Sequence, residues 1–317
     1  MKSVSLFLSL SIMAWLLTNV NAQPKWHLVD SAYGILPKGF HVYKTTDSLE
    51  GKPNIAFYAI AKLKSKKLDF TTDTTLNRRL TPAKFYERNN KPLLVVNGTF
   101  FSFETNQNLN IVIKDDKIVS YNVRRIRQRA DTSKFQNENI VRGGFGISKR
   151  RKADIAWLVA DTSADLVRSW QVPVPNTNVY DSTKSGLPSR AWKMRTAIGG
   201  GPVLVQNNAV SVSNEQERMF TGKAIMDKHP RTLIGYTADG KVIVMVIQGR
   251  TPGVAEGATL TQSAMLMADL GCVEALNLDG GGSSCMLING KQTITPSDKG
   301  LERPVPAVFI IKSTKPD

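Results

Sequence analysis

Cysteine and histidine are scarce in this chain, whose 317 residues include two of the first and three of the second. No histidine stands at a metal-like spacing from another, which argues against zinc and against histidine-rich two-metal sites and leaves only an all-oxygen calcium or magnesium site at a carboxylate to consider. Acidic residues are also in short supply, 26 against 42 Lys and Arg, for a formal charge of +16 at pH 7. A balance this basic implies an acidic partner, whether a phosphorylated substrate, an anionic polymer or nucleic acid, and by itself does not choose among them. Long apolar runs are missing after the first residues. Leu6 to Leu17 is too short to span a bilayer comfortably, and no later segment reaches the ~20 residues required. With Lys2 before that run and the small-residue stretch Val20 to Ala22 after it, residues 1–22 read as a cleavable export signal, which makes the mature chain secreted or periplasmic without a membrane span. Gln23, not cysteine, follows the predicted cut, against a lipid anchor. No composition shift marks a boundary, and with 41% hydrophobic residues the chain from 23 to 317 is expected to form one globular domain.

What is present is strand after strand. Ile55 to Leu63 and Pro92 to Phe101 are apolar runs rich in β-branched and aromatic residues, the pattern of buried strands. Asp115-Asp116, Asn207-Asn208, Asp239-Gly240 and Asn289-Gly290 each sit between strand-like runs and predict four hairpins. Two helices are predicted. One has Thr81 as N-cap and Pro82 in its first turn; the other is capped by Thr259 or Thr261, stops at Gly271, and places Leu260, Ala264, Met267 and Ala268 toward the core. The class is α+β, mainly antiparallel or mixed sheet with a few helices. If Val273 to Leu278 and Cys285 to Ile288 are neighbouring strands, Cys272 and Cys285 lie beyond disulfide reach and remain free. Val172 to Trp192 is rich in turn residues and reads as an inserted loop or flap. Tyr121 to Lys152 carries ten basic residues against Asp131 and Glu138, either a solvated face or an anion-binding surface.

The most unusual stretch is ALNLDGGGSSCMLING, Ala275 to Gly290. It has neither the Lys-Ser/Thr of a P-loop nor the following helix of a dinucleotide fingerprint. Asp279, then Gly280, Gly281 and Gly282, then Ser283 and Ser284 would offer a carboxylate, hydroxyls and a row of open N–H groups to an oxyanion. A second triple, Gly199, Gly200 and Gly201, stands between apolar segments, while Arg231 precedes one strand and Arg250 follows another, where both could bind phosphate.

In order and spacing, NGTFF (Asn97 to Phe101), AIGGGPVLV (Ala197 to Val205), HPRTLIG (His229 to Gly235), QGRTPG (Gln248 to Gly253) and ALNLDGGGSS resemble the phosphodiester glycosidase family over roughly Leu93 to Ile311. Thr99, Gln248 and Cys285 depart from it, where relatives usually carry glycine, aspartate, and a small residue or threonine. The resemblance implies hydrolysis of a sugar 1-phosphodiester, with a phosphodiester-linked sugar or glycan as partner and not nucleic acid, and with no cofactor. A phosphate monoester leaves as a stable anion and needs positive charge more than a strong general acid, which suits one aspartate among arginines. Asp279 is then nucleophile or base, Arg231 and Arg250 bind phosphate, Asn97 orients the sugar, and His229 carries a proton. Both glycine triples with Ser283 and Ser284 hold substrate, and Glu256 and Glu302 are the fallback carboxylates. Two other readings compete: a metal-dependent phosphodiesterase that cleaves P–O, and a non-catalytic envelope protein that binds anionic glycans.

Overall fold

All four predicted hairpins form, for local reasons. Asp115 and Asp116, Asn207 and Asn208, and Asn289 and Gly290 all take positive φ, and Gly240 does so at 80°. A two-residue turn between right-twisted strands demands that backbone, and Asn, Asp and Gly reach it at least cost. In this computed structural model, residues 23–123, 125–129, 135–161, 165–174, 186–222 and 226–314 are described. The predicted export signal, the central part of the predicted flap (175–185) and the side chains of 124–139 lie outside the described residues.

Three sheets make up the fold, and every strand pair among the described residues is antiparallel, so the alternative of a mixed sheet does not arise. The first has eight strands in the spatial order His27–Leu28, Phe40–Thr45, Ala56–Lys62, Lys241–Ile247, Arg231–Thr237, Cys272–Asn277, Val203–Gln206 and Ala209–Val210. The second has seven: Arg190–Ala191, Leu166–Trp170, Ala153–Asp161, Arg142–Ile147, Thr196–Gly199, Val112–Lys114 and Lys117–Ser120. The third has five: Lys291–Gln292, Met286–Ile288, Leu94–Asn97, Ala307–Ser313 and Leu68–Thr74. The last strand in sequence is thus an interior strand of its sheet. Within the basic stretch a separate two-stranded ribbon joins Arg125–Arg129 to Phe135–Asn139.

Alternation along the strands divides the core. Leu94 and Val96 face a central cluster shared by all three sheets, with Phe40, Val244, Phe145, Trp157, Ile198 and Phe309, whereas Val95 between them faces the opposite way. There it meets Phe85 of the helix Pro82–Arg88. The helix Leu260–Asp269 covers the outer face of the eight-stranded sheet through Leu260, Ala264 and Met267, with Ala268 half-buried beside them. Thr259, not Thr261, caps it: Gln262 N donates to the Thr259 Oγ1 at 3.1 Å and Thr259 N to the Gln262 Oε1 at 3.0 Å. That reciprocal pair satisfies two otherwise orphaned donors.

One expectation fails. The two strands flanking the glycine loop are not neighbours, since Cys272–Asn277 belongs to the eight-stranded sheet and Met286–Ile288 to the five-stranded one. Cys272 and Cys285 are nevertheless free and buried. The loop is a crossing between sheets, a long-range arrangement that local strand patterns do not encode.

Candidate active site

Asp279 stands where the chain leaves one sheet for the other. Leu278 N still donates to the Thr232 carbonyl of the eight-stranded sheet at 2.8 Å, and one residue later Asp279 N donates to the Gly98 carbonyl, just past the Leu94–Asn97 strand, at 2.9 Å. Asn97 fastens this crossing. Its Nδ2 donates to the Asp279 carbonyl at 2.6 Å, while its Oδ1 accepts from the Thr232 hydroxyl at 2.9 Å and from Cys285 N at 3.0 Å. The Ser284 hydroxyl accepts from the same Thr232 at 3.2 Å. Asn97 and Ser284 are fully buried, so the expected contact of Asn97 with a sugar, and of Ser284 with substrate, gives way to an internal clamp. Both motifs point to the site, but these side chains serve it from behind.

The expected row of open N–H groups is also corrected. The loop closes into a single 3-10 turn, Gly281–Ser283, and the donors of Gly281, Ser283 and Ser284 are spent on the protein. Gly281 N donates to the Pro230 carbonyl at 2.8 Å, Ser283 N to Gly280 at 3.1 Å and Ser284 N to Gly281 at 3.2 Å. The glycines permit close approach by side chains. A Cβ on Gly282 would lie 2.1 Å from the Arg303 Nη2, and one on Gly281 would lie 3.0 Å from the Arg250 Nη2. Positive charge is supplied by guanidinium groups laid against the loop.

Arg250 is the exposed one. It follows the Lys241–Ile247 strand in a left-handed conformation, φ 60°, has no acidic side chain paired with it among the described residues, and lies 3.5 Å from the His229 Nδ1. Arg231 is different. It is buried, donating to the Ala258 carbonyl at 2.9 Å and the Asp227 carbonyl at 3.2 Å, and desolvation followed by the neighbouring Arg250 charge lowers its pKa to about 10. It adds field to the site without reaching a ligand as openly as expected. His229 is held below its ordinary value by burial and then by Arg231 and Arg250, so it is neutral at neutral pH and suited to donating a hydrogen bond.

Arg303 is the residue that sequence reading missed. Asp298 holds it, with Nε to Oδ2 at 2.8 Å and Nη2 to Oδ1 at 3.0 Å. Its charge acts on Asp279. Its only signal in sequence is a basic residue shortly before the last strand. Gln248, where relatives carry aspartate, accepts from Thr295 N at 3.0 Å and so braces the segment leading to Asp298 and Arg303. Thr99 is buried and bonded to Asn108. Glu302 is occupied, receiving Ala83 N at 2.8 Å and Gln292 Nε2 at 2.9 Å.

Asp279 is half-buried as a residue, and desolvation of its carboxyl pushes the pKa up to about 7 against the opposing pull of Ser283, Arg303 and the Gly280 N–H. The Ser283 Oγ is buried beside that carboxyl and acts on it. A buried hydroxyl set against a desolvated carboxyl whose pKa is strongly raised is characteristic of a functional site. No cluster of three or more His, Cys, Asp or Glu side chains able to share a metal ion occurs among the described residues.

The other glycine triple takes no part. A Cβ on Gly200 would lie 2.3 Å from the Asn277 carbonyl oxygen, and one on Gly199 would lie 2.9 Å from Ile111 N. Gly201 is enclosed by Glu217 and Met219. All three are buried, so the predicted substrate contacts of Gly199, Gly200 and Gly201 are replaced by packing within the protein, against backbone at the first two and side chains at the third.

A profile for the phosphodiester glycosidase family matches residues 90–312, which includes all five motifs. The chain belongs to that family. Mouse N-acetylglucosamine-1-phosphodiester alpha-N-acetylglucosaminidase is 26% identical over 202 residues, which are 64% of this chain and 33% of the mouse protein, so the chain spans about a third of that relative's length. The zebrafish catalytic domain of the same name, solved in a form auto-inhibited by its pro-peptide, superposes with a TM-score of 0.56 at 19% identity, over 92% of this chain and 89% of that one. A hypothetical protein from Synechocystis gives 0.61 at 14% identity, covering 92% of this chain and 64% of that chain. These structures share the fold. Another recess, of about 910 Å³ and lined by Lys38, Lys62, Lys64 and Lys152 among others, opens at the far end of the Arg231–Thr237 strand, ~20 Å of extended chain from Arg231.

Two expectations follow from this geometry. If Asp279 works ionised, kcat/KM rises with pH and levels off above about 7; a profile flat from pH 5 to 8 would detach Asp279 from the rate. Replacing exposed Arg250 with Ala should lower kcat/KM on a phosphodiester by ~2 kcal/mol, about 30-fold, with Lys restoring only part because it lacks the planar fork. Steady-state kinetics of both variants checks this, and an unaltered alanine variant would return Arg250 to the ordinary surface.

Proposed function

We propose that the protein is an exported hydrolase that cleaves the glycosidic C–O bond of a sugar 1-phosphodiester, releasing a phosphate monoester, with phosphodiester-linked glycans as its substrates. The observation that carries this reading is the juxtaposition of Asp279, its pKa raised to about 7, with the guanidinium groups of Arg250 and Arg303 on either part of one glycine turn. A carboxyl beside one guanidinium, with a second guanidinium on the same turn, fits a substrate that is electrophilic at carbon and anionic at its leaving group. Asp279 attacks the anomeric carbon or activates water there, stabilising an oxocarbenium-like transition state. Arg250 and Arg303 hold the phosphate as its charge grows, backed by Arg231. His229, neutral, donates from Nε2 while its Nδ1 faces Arg250, and the Ser283 hydroxyl beside Asp279 orients that carboxyl.

Sugar 1-phosphodiesters offered to the purified mature chain should release free sugar. In isotopically labelled water the label should appear on the sugar, read by mass spectrometry of both products. Label in the phosphate product, with activity abolished by a chelator, would assign water to phosphorus and make Asp279 a metal ligand.

A further inference from the structure

The segment after Asn97 carries an aromatic that the site described above does not use. Phe103 is 64% exposed, yet it sits on a tightly bonded loop. Ser102 N donates to the Gln107 carbonyl at 3.0 Å, Asn106 N to the Ser102 carbonyl at 2.9 Å, and Thr105 N to the Ser102 Oγ at 3.2 Å. Gln107 Nε2 ties the loop to Asn77 at 3.1 Å. A single exposed ring is ordinary at a protein surface, so a functional reading of Phe103 needs a further ground.

Its neighbours supply one. The Phe101 ring lies 4.8 Å away, the Arg303 guanidinium 5.5 Å from the Phe103 centroid and the Arg79 guanidinium 5.3 Å from it. Arg303 is the cation laid against Gly282 and acts on Asp279, and both it and Arg79 lie over the Phe103 ring, so Asp279, Arg303, Phe103 and Arg79 are linked neighbour by neighbour. Arg79 is half-buried and has no acidic side chain paired with it among the described residues. A phosphodiester bound with its anomeric carbon at Asp279 and its phosphate at Arg303 must send its other substituent beyond the phosphate. Along this series that substituent meets first an aromatic face, then a second cation.

Resting on the function proposed above, we infer that Phe103 and Arg79 form a leaving-group subsite that selects repeating phosphodiester chains: the ring beyond the scissile phosphate stacks on Phe103, and the next phosphate pairs with Arg79. The apolar C–H face of a sugar suits an aromatic platform, and an unpaired guanidinium suits a phosphate oxyanion. A diester with a small alcohol as its second substituent occupies neither.

The test compares three substrates sharing the same scissile sugar 1-phosphate: a methyl diester, a sugar-phosphate-sugar diester, and an oligomer with at least two phosphodiester links. Relative to the methyl diester, Phe103→Ala should lower kcat/KM for both longer substrates by about tenfold or more, mainly through KM, and Phe103→Trp should keep the preference. Arg79→Ala should lower it for the oligomer alone, with a difference that shrinks as salt rises. An equal loss on all three substrates would mean that Phe103 merely holds Arg303 in place, and no loss on any would leave the loop without a binding role; either overturns the inference. Calorimetric affinity of the uncleaved oligomer for Asp279→Asn, with and without Phe103→Ala, reads the subsite without turnover. If the wild-type chain hydrolysed no diester, the proposed reaction would fail; equal affinities in that pair would separately remove the subsite.

Discussion

Asp279→Asn should fold normally and lose at least three orders of magnitude in kcat, the scale on which removal of a catalytic nucleophile or base is measured. Asparagine keeps the shape and removes only the charge. The variant should also differ in stability in a pH-dependent way. In the folded chain the Asp279 carboxyl titrates near 7, above its ordinary 3.8, so proton binding favours the native state. That contribution is intact below about pH 4 and is lost as pH rises through about 7, because the carboxylate must then be held ionised where it is poorly solvated. Asparagine cannot ionise. Thermal unfolding at pH 8 should therefore show Asp279→Asn gaining stability relative to wild type, a gain that disappears at pH 4. Retention of more than about a tenth of wild-type turnover would remove Asp279 from the chemistry.

Gly200→Ala should do the reverse, with a loss of stability of about 3 kcal/mol or more, at the upper end of overpacking effects. The added Cβ would meet the Asn277 carbonyl oxygen at 2.3 Å. That atom is backbone in the middle of a sheet, already accepting Gly201 N at 2.8 Å, and it cannot swing aside. Denaturant unfolding measures the loss. Gly282→Ala is the informative contrast, since its Cβ would strike the end of the Arg303 side chain at 2.1 Å, which can move. It should lower activity far more than stability. A Gly200→Ala protein as stable as wild type would mean that the two sheets have slack at this contact.

The two glycine triples show how far a sequence can be read. Both are flanked by apolar residues, and both were expected to touch substrate. What distinguishes Gly200 from Gly281 and Gly282 is whether the approaching atom is a fixed carbonyl or a mobile guanidinium, and that depends on partners such as Asn277 and Arg303 that sequence pattern does not place. The hairpins were legible because the four turns carry their own backbone preferences, and the helix at Thr259 because its cap is only three residues long. The placement of Cys272–Asn277 and Met286–Ile288 in different sheets was not legible, since strand patterning is local and sheet membership is not. Asn97 was found through its motif, but its role was misplaced: an amide used as a clamp and one that faces a ligand look alike in sequence, and only burial separates them. Arg303 carried no signal beyond its charge.

The strand Ala307–Ser313 pairs with Leu94–Asn97 on one side and Leu68–Thr74 on the other, and its Ala307 carbonyl receives Gly98 N at 3.1 Å. Gly98 in turn receives Asp279 N. The acid is thus set by a contact whose members are separated by most of the sequence, and the sheet holding that contact lacks an interior strand until the last of it arrives. Non-local closures of this kind are slow to form. The crossing at Asp279 therefore takes its final geometry only once the Ala307–Ser313 strand is paired, although that strand lies far from it in sequence.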